Sequence, residues 1–103
     1  MTINGVEYNL FYSLGAHIAY DNWAVNNPKA SYTEGVVMKF QFMIMAYNSA
    51  NGIKDKEPPT KEELAGLPNS VFEEIMEAVM LCEKRDSERK VEAKPKKAKS
   101  TVK

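Results

Sequence analysis

The side chains best equipped for chemistry in this chain are few and far apart. There is one histidine, His17, and one cysteine, Cys82. Neither stands at a metal-ligand spacing: the sequence has no HExxH, no CxxC and no run gathering His, Cys and Asp. His17 reads as a surface or partly buried helical residue, and no triad can be built around it. Cys82 falls on the apolar stripe of the last helix, where a thiol behaves as a small core hydrophobe. The acid pairs Glu62-Glu63 and Glu73-Glu74 sit in the first turns of helices, where carboxylates stabilise exposed backbone amides. Using them as acid and base requires a concave pocket, for which 103 residues leave little room. There is no GxxxxGK[ST] and no GxGxxG to cradle phosphates. The residues point away from an enzyme and call for no metal or other cofactor.

The six methionines carry more information. Met38, Met43 and Met45 lie on the second helix beside Phe40 and Phe42, and Met76 and Met80 lie on the last. A methionine set of this kind either fills a core or makes an apolar surface that adapts to its partner.

The elements that must position these residues follow from turn and capping signals. Asn4-Gly5 tolerates the positive φ angles of a two-residue type I′ turn, so it predicts a β-hairpin. Beyond it, Val6, Tyr8, Leu10 and Tyr12 alternate with Glu7, Asn9 and Phe11, which predicts a second strand with one apolar face. Gly15 to Asn26 places Ala16, Ala19, Tyr20, Trp23 and Ala24 at helical spacing and ends at Asn27-Pro28. Ser31 and Glu34 form a capping box that opens a helix to about Ala50, with Gly52 placed to close it. That helix is apolar nearly all round: Val36, Phe40, Met43, Tyr47 and Ala50 make one stripe, and Val37, Met38, Phe42, Ile44 and Met45 fill much of the rest. It is either a central core helix or a helix with one side turned to another chain. Thr60-Lys61-Glu62-Glu63 caps a short helix that Gly66 and Pro68 curtail. Ser70-Val71-Phe72-Glu73 reads as a third capping box, heading a last helix to about Asp86 with Phe72, Ile75, Val79 and Cys82 on its buried stripe.

The expected fold is therefore mostly α with an N-terminal β-hairpin: an α+β domain of three to four helices over residues 1–86. A basic tail, residues 87–103, follows. It holds seven basic and two acidic residues, a net +5, while residues 1–86 hold seven basic and twelve acidic, a net −5. With Pro95 and almost nothing to bury, the tail is expected to be disordered. No stretch approaches the roughly 20 apolar residues of a membrane span. The start lacks the pattern of a secretory signal, and a lone cysteine makes no intrachain disulfide. The expectation is a cytoplasmic protein.

The opening Ile3-Asn4-Gly5-Val6-Glu7-Tyr8-Asn9-Leu10 resembles the ING-x-E-Y start of small tail assembly chaperones of long-tailed phages and prophages of Gram-positive bacteria. The order is similar too: hairpin, aromatic helix, hydrophobic helix, a Pro-Thr-Lys-Glu-Glu loop into a short helix, then a last helix and a Lys-rich tail. The first strand is shorter here than is usual in that family. The resemblance implies a non-catalytic factor of the bacterial host cytoplasm. Such a factor binds apolar segments of the tape measure protein and helps bring tail tube subunits to it. Phe40, Met43, Tyr47, Phe72 and Met76, on the second and last helices, are the candidate client contacts. Two other readings stand beside it. One is a nucleic-acid-binding or regulatory protein acting through the basic tail, against which the acidic body weighs. The other is a structural homo-oligomer with the second helix at its seam.

Overall fold

The computed structural model describes the backbone of residues 1–99 and the side chains of residues 1–87. Its elements are β1 (Thr2–Ile3), β2 (Val6–Glu7), α1 (Leu14–Asn26), α2 (Tyr32–Ala50), α3 (Lys61–Ala65) and α4 (Asn69–Lys99). The fold is mostly helical with an N-terminal antiparallel hairpin, as the sequence predicts. None of its helices is long and apolar enough to cross a membrane among the described residues.

Asn4 and Gly5 both take positive φ, 51° and 79°, the requirement of the type I′ turn. They set the register Thr2↔Glu7 and Ile3↔Val6. The second strand is shorter than its alternation predicts. It stops at Glu7, and Val6 is exposed while Tyr8 is buried and Leu10 and Tyr12 are half-buried. The reason lies in where the backbone groups go. Phe11 N–H donates to the Met43 carbonyl at 3.2 Å, Tyr12 N–H to the Asp86 carboxylate at 2.7 Å, and the Leu10 carbonyl accepts from Arg85 at 2.9 Å. Tyr8 still pairs with Met1, its N–H donating to the Met1 carbonyl at 2.7 Å and the Met1 ammonium to the Tyr8 carbonyl at 2.8 Å. Past Tyr8 the backbone groups go to helices and not to a strand. Residues 8–13 form a strap across α2 and α4 instead.

Three of the four helix starts follow from local side chains. Ser13 accepts from the Ala16 amide at 3.0 Å and starts α1. Ser31 and Glu34 complete a reciprocal capping box on α2, and Thr60 and Glu63 do the same on α3. At the end of α2, Gly52 takes φ +68° and lets the Ile53 amide turn back to the Asn48 carbonyl at 2.9 Å.

α4 differs from expectation at both ends. It begins at Asn69, so Ser70 lies inside the first turn and does not cap it. Pro68, with its fixed φ, already leads into the helix and its carbonyl receives the Val71 amide at 3.0 Å. At the other end the helix backbone runs past Asp86 to Lys99. Glu, Arg, Lys and Ala, all strong helix formers, dominate that stretch and carry the backbone past Pro95, which itself donates no helical hydrogen bond. The tail expected to be disordered is residues 87–103; its side chains from 88 onward and its backbone from 100 onward lie outside the described residues.

α2 is the centre of the domain. Phe40, Met43 and Ile44 are fully enclosed, with Ile3 and Tyr8 of the N-terminal segment and Ile75, Val79 and Cys82 of α4 packed around them. Each such side chain contributes about 1.5–3 kcal/mol by leaving water. α1 lies along another side of α2 through buried Ala16 and half-buried Tyr20. The approach is close at Gly35, where a Cβ would sit 3.0 Å from the Tyr20 hydroxyl.

Asp86 is the tie between the strap and α4. Its carboxylate, 7% exposed, accepts from the Tyr12 amide, from Arg85 and from the Cys82 thiol. The Arg85 guanidinium, with the Tyr12 amide assisting against burial, holds its pKa below the ordinary carboxylate value. A depressed folded pKa means the stabilisation is fully present above the unfolded value, near 3.9, and disappears as pH falls through the folded one. Asp86→Ala, which leaves the Tyr12 amide without its acceptor, is expected to cost about 1.5–3 kcal/mol in urea unfolding at pH 7. Asp86→Asn keeps an acceptor and is expected to cost less. The deficit of both variants against the native chain should narrow when unfolding is measured below about pH 3.5.

Candidate functional site

The fold separates the five candidate contact residues. Phe40 and Met43 are both 0% exposed, so neither can touch a partner without the domain opening. Their assignment as client contacts is corrected: a helix covered on three sides spends its central stripe on the core. Tyr47 is half-buried at the other end of α2, beside Asn9, Leu10, Phe11 and Arg85, away from the remaining two. Phe72 and Met76 are half-buried on α4, one turn apart, and lie in the walls of two neighbouring clefts.

The larger cleft is an open groove of about 750 Å³. One wall is the first half of α2, with Val37 and Met38. Opposite stand Leu64 of α3, Leu67, and Val71 and Phe72 at the start of α4, with buried Ile75 between them. Trp23 and residues 26–30 close the end. The smaller cleft, about 310 Å³, lies further along α4 between Met76, Val79 and Met80 on one side and Tyr20, Tyr32 and Val36 on the other. The Tyr32 hydroxyl reaches the Met76 sulfur at 3.6 Å across it. Trp23, Asn27, Pro28 and Ala30 line both clefts, so the corner between α1 and α2 is their common wall.

The corner holds that position for local reasons. Asn26 and Asn27 turn their side-chain amides onto the carbonyls of Asn22 and Trp23, both at 2.8 Å, finishing α1 at Asn26, two residues before Pro28. Lys39 then fixes α1 and α4 on α2. Its ammonium lies 2.7 Å from Glu83 and 4.7 Å from the centre of the Tyr20 ring. Burial pulls the Lys39 pKa down, but the hydrogen bond and charge of Glu83, with Tyr12 and Tyr20, outweigh it and raise it.

Polar groups in the larger groove are satisfied at its rim. Glu34 and Lys61 pair at 2.8 Å, bridging α2 to α3, and Ser31 donates its amide to the same carboxylate. The Lys61 partner and the Ser31 amide lower the Glu34 pKa, and Glu34 raises that of Lys61. Such a wall receives side chains by shape and apolar contact, and it lacks the converging buried polar groups that orient a small polar ligand.

Two clusters elsewhere have the residue types of chemistry. Tyr12, His17 and Asp21 form a chain: the Tyr12 hydroxyl hydrogen-bonds His17 Nδ1, and His17 Nε2 lies 3.2 Å from Asp21. Burial, then Glu83 and Asp21, raise the Tyr12 pKa, so the phenol keeps its proton at neutral pH. Burial and the neighbouring Asp86 push the Cys82 thiol up to about 11. That matches the core role the sequence gives Cys82 and leaves no thiolate for attack. No group of three or more His, Cys, Asp or Glu side chains is arranged to hold a metal ion among the described residues.

Comparison with protein-family models, with curated proteins and with solved structures finds no match to this chain. The groove is therefore argued from its own geometry. Sequence reasoning missed most of it: Trp23, Val37, Met38, Leu64, Leu67 and Val71 were not among the candidates. The available signals are the methionine set, the all-round apolarity of α2 and the brevity of α3 before Leu67-Pro68, which leaves α2 uncovered over its first half.

The division between core and groove has a direct consequence for stability. Phe40→Ala should cost about 3–5 kcal/mol, a large share of the 5–15 kcal/mol of an ordinary domain. Met38→Ala, half-exposed in the groove wall, should cost about 1 kcal/mol. Urea denaturation followed by helical circular dichroism measures both; equal losses would mean that the groove wall is as enclosed as the core.

Proposed function

We propose that this chain is a protein-binding factor of the tail assembly chaperone kind, which keeps apolar helical segments of a phage or prophage tape measure protein soluble in the host cytoplasm while the tail tube assembles. The observation that carries the reading is the groove of about 750 Å³ that stays open after α2 has packed its central stripe. Its walls present Trp23, Met38, Leu67, Val71 and Phe72 to solvent at partial burial. An amphipathic helix fits such a groove by inserting side chains spaced i, i+3 or i+4, and i+7.

The adaptable residues suit a client of repetitive, variable sequence. Met38 lines the larger groove and Met76 and Met80 line the smaller one, so unbranched thioether side chains occur along both. The acidic body, net −5 over residues 1–86, keeps the bound complex soluble. Nothing in this role calls for a reactive group.

Co-expression with a candidate tape measure protein tests the reading. The native chain is expected to raise the soluble yield of that protein several-fold and to co-purify with it. Met38→Glu places a carboxylate in the groove wall at a half-buried position outside the core cluster, and Glu is a strong helix former. This variant should keep its helical circular dichroism and lose most of the co-purification. Unchanged solubility with and without the native chain would remove the chaperone reading.

A further inference from the structure

We infer that the partner of the groove is an amphipathic helix whose apolar stripe is bordered by lysine or arginine on the side that meets α4. The inference rests on the protein-binding reading above and names the chemistry of its partner. Phe72, Met76 and Met80 follow one another at four-residue spacing along α4 and line the two clefts in turn. Glu73 and Glu77 come one residue later, so they form the adjacent row on the solvent side of that apolar row. Both are exposed, and neither enters an ion pair among the described residues. The other charges near the clefts are already matched, Lys39 with Glu83 and Lys61 with Glu34. The exceptions are Lys29, on the corner opposite α4, and Lys84, which continues the Glu73–Glu77 row seven residues further on, past the end of the larger groove. Glu73 and Glu77 line neither cleft but border one flank of the groove, without an ion-pair partner among the described residues, and Lys29 stands on the other; that asymmetry fixes the flank on which a bound helix carries its basic border.

Charge also selects against the other occupants. The exposed apolar row of α1 (Leu14, Ile18 and Val25) is the obvious segment of a second copy to seat there, but α1 carries Asp21 and no lysine or arginine. It would bring like charge to Glu73 and Glu77. The basic stretch 88–103 has the right charge, but its only large apolar residues are Val91 and Val102, too few to fill an apolar groove.

The full chain with two synthetic helices tests this. Both peptides carry the same leucine stripe; one is bordered by lysine and the other by glutamate. Trp23 is the only tryptophan and lines both clefts, so its fluorescence reports occupancy. The lysine-bordered peptide is expected to bind about tenfold more tightly at low ionic strength, with the preference fading toward 0.5 M salt, where screening shortens to roughly 4 Å. The double variant Glu73→Gln, Glu77→Gln should bring the two peptides together. Equal binding of both peptides by the native chain would overturn the inference and leave the protein-binding reading in place. No response of Trp23 to either peptide would overturn both. A change in Trp23 emission on diluting the protein alone would assign the groove to a second copy and overturn the inference.

Discussion

A helix that is apolar on nearly every side must be covered, and this domain has few elements with which to cover α2. Its central stripe is taken by the hairpin segment and by α4, which enclose Phe40, Met43 and Ile44. α1 covers a second side with small and aromatic groups, Ala16 and Tyr20. α3 has only five residues and leaves Val37 and Met38 half-buried beside it. Met45 is left about half exposed. The open groove is thus the remainder of a surface shortage: there is more apolar area on α2 than its neighbours take from water.

The shape of that remainder depends on where α1 and α4 are clamped. A partly buried ion pair adds little net stability, since desolvation offsets attraction, but it does fix register. Lys39 contacts Glu83 on α4 and the face of Tyr20 on α1 from one position on α2. Gly35, one turn earlier, lets the Tyr20 hydroxyl come close to the α2 backbone. Together these contacts hold the α1–α2 corner, and with it Trp23, at the junction of the two clefts. At the far end of the strap, Asp86 does the equivalent work for the N-terminal segment. The domain is pinned by side-chain contacts at both ends of a hydrophobic centre, and the groove lies between the pins.

Local chemistry made most elements legible from sequence. The Asn4-Gly5 turn, both capping boxes that form, the Asn27-Pro28 stop and the Gly52 reversal depend on residues within a few positions of one another. The parts that were not legible depend on partners far along the chain. Good alternation predicts the second strand as far as Tyr12, but the backbone groups of residues 10–12 are claimed by Met43, Arg85 and Asp86, more than thirty residues away. Ser70 carries a capping pattern that Pro68 pre-empts. On α2 the sequence showed an excess of apolar residues without showing which side the neighbours would cover, so Phe40 and Met43 were placed at a partner surface when they belong to the centre. Phe72 and Met76 do stand at the clefts, because the last helix has only one face to bury. The groove itself combines α1, α2, α3 and α4, and no local pattern encodes such a combination.

A protein that leaves apolar surface open must also avoid binding itself, and the charge pattern addresses this. α1 has a low net amphipathicity because both its faces carry apolar groups: Ala16, Tyr20 and Trp23 inside, Leu14, Ile18 and Val25 outside. The outer row has the spacing of a coiled-coil seam, except that Asp21 occupies the position between Ile18 and Val25. A helix of 13 residues is about 20 Å long, and its one face falls well short of the roughly 800 Å² per partner of a stable interface. Burying Asp21 there would cost more still. On α4 the free carboxylates of Glu73 and Glu77 border the groove in the same sense, repelling another acidic body. The carboxylates that would disfavour a second acidic copy are the ones a basic-bordered helix would satisfy. In the proposed role, one arrangement of charge around one uncovered stretch of α2 would serve both ends.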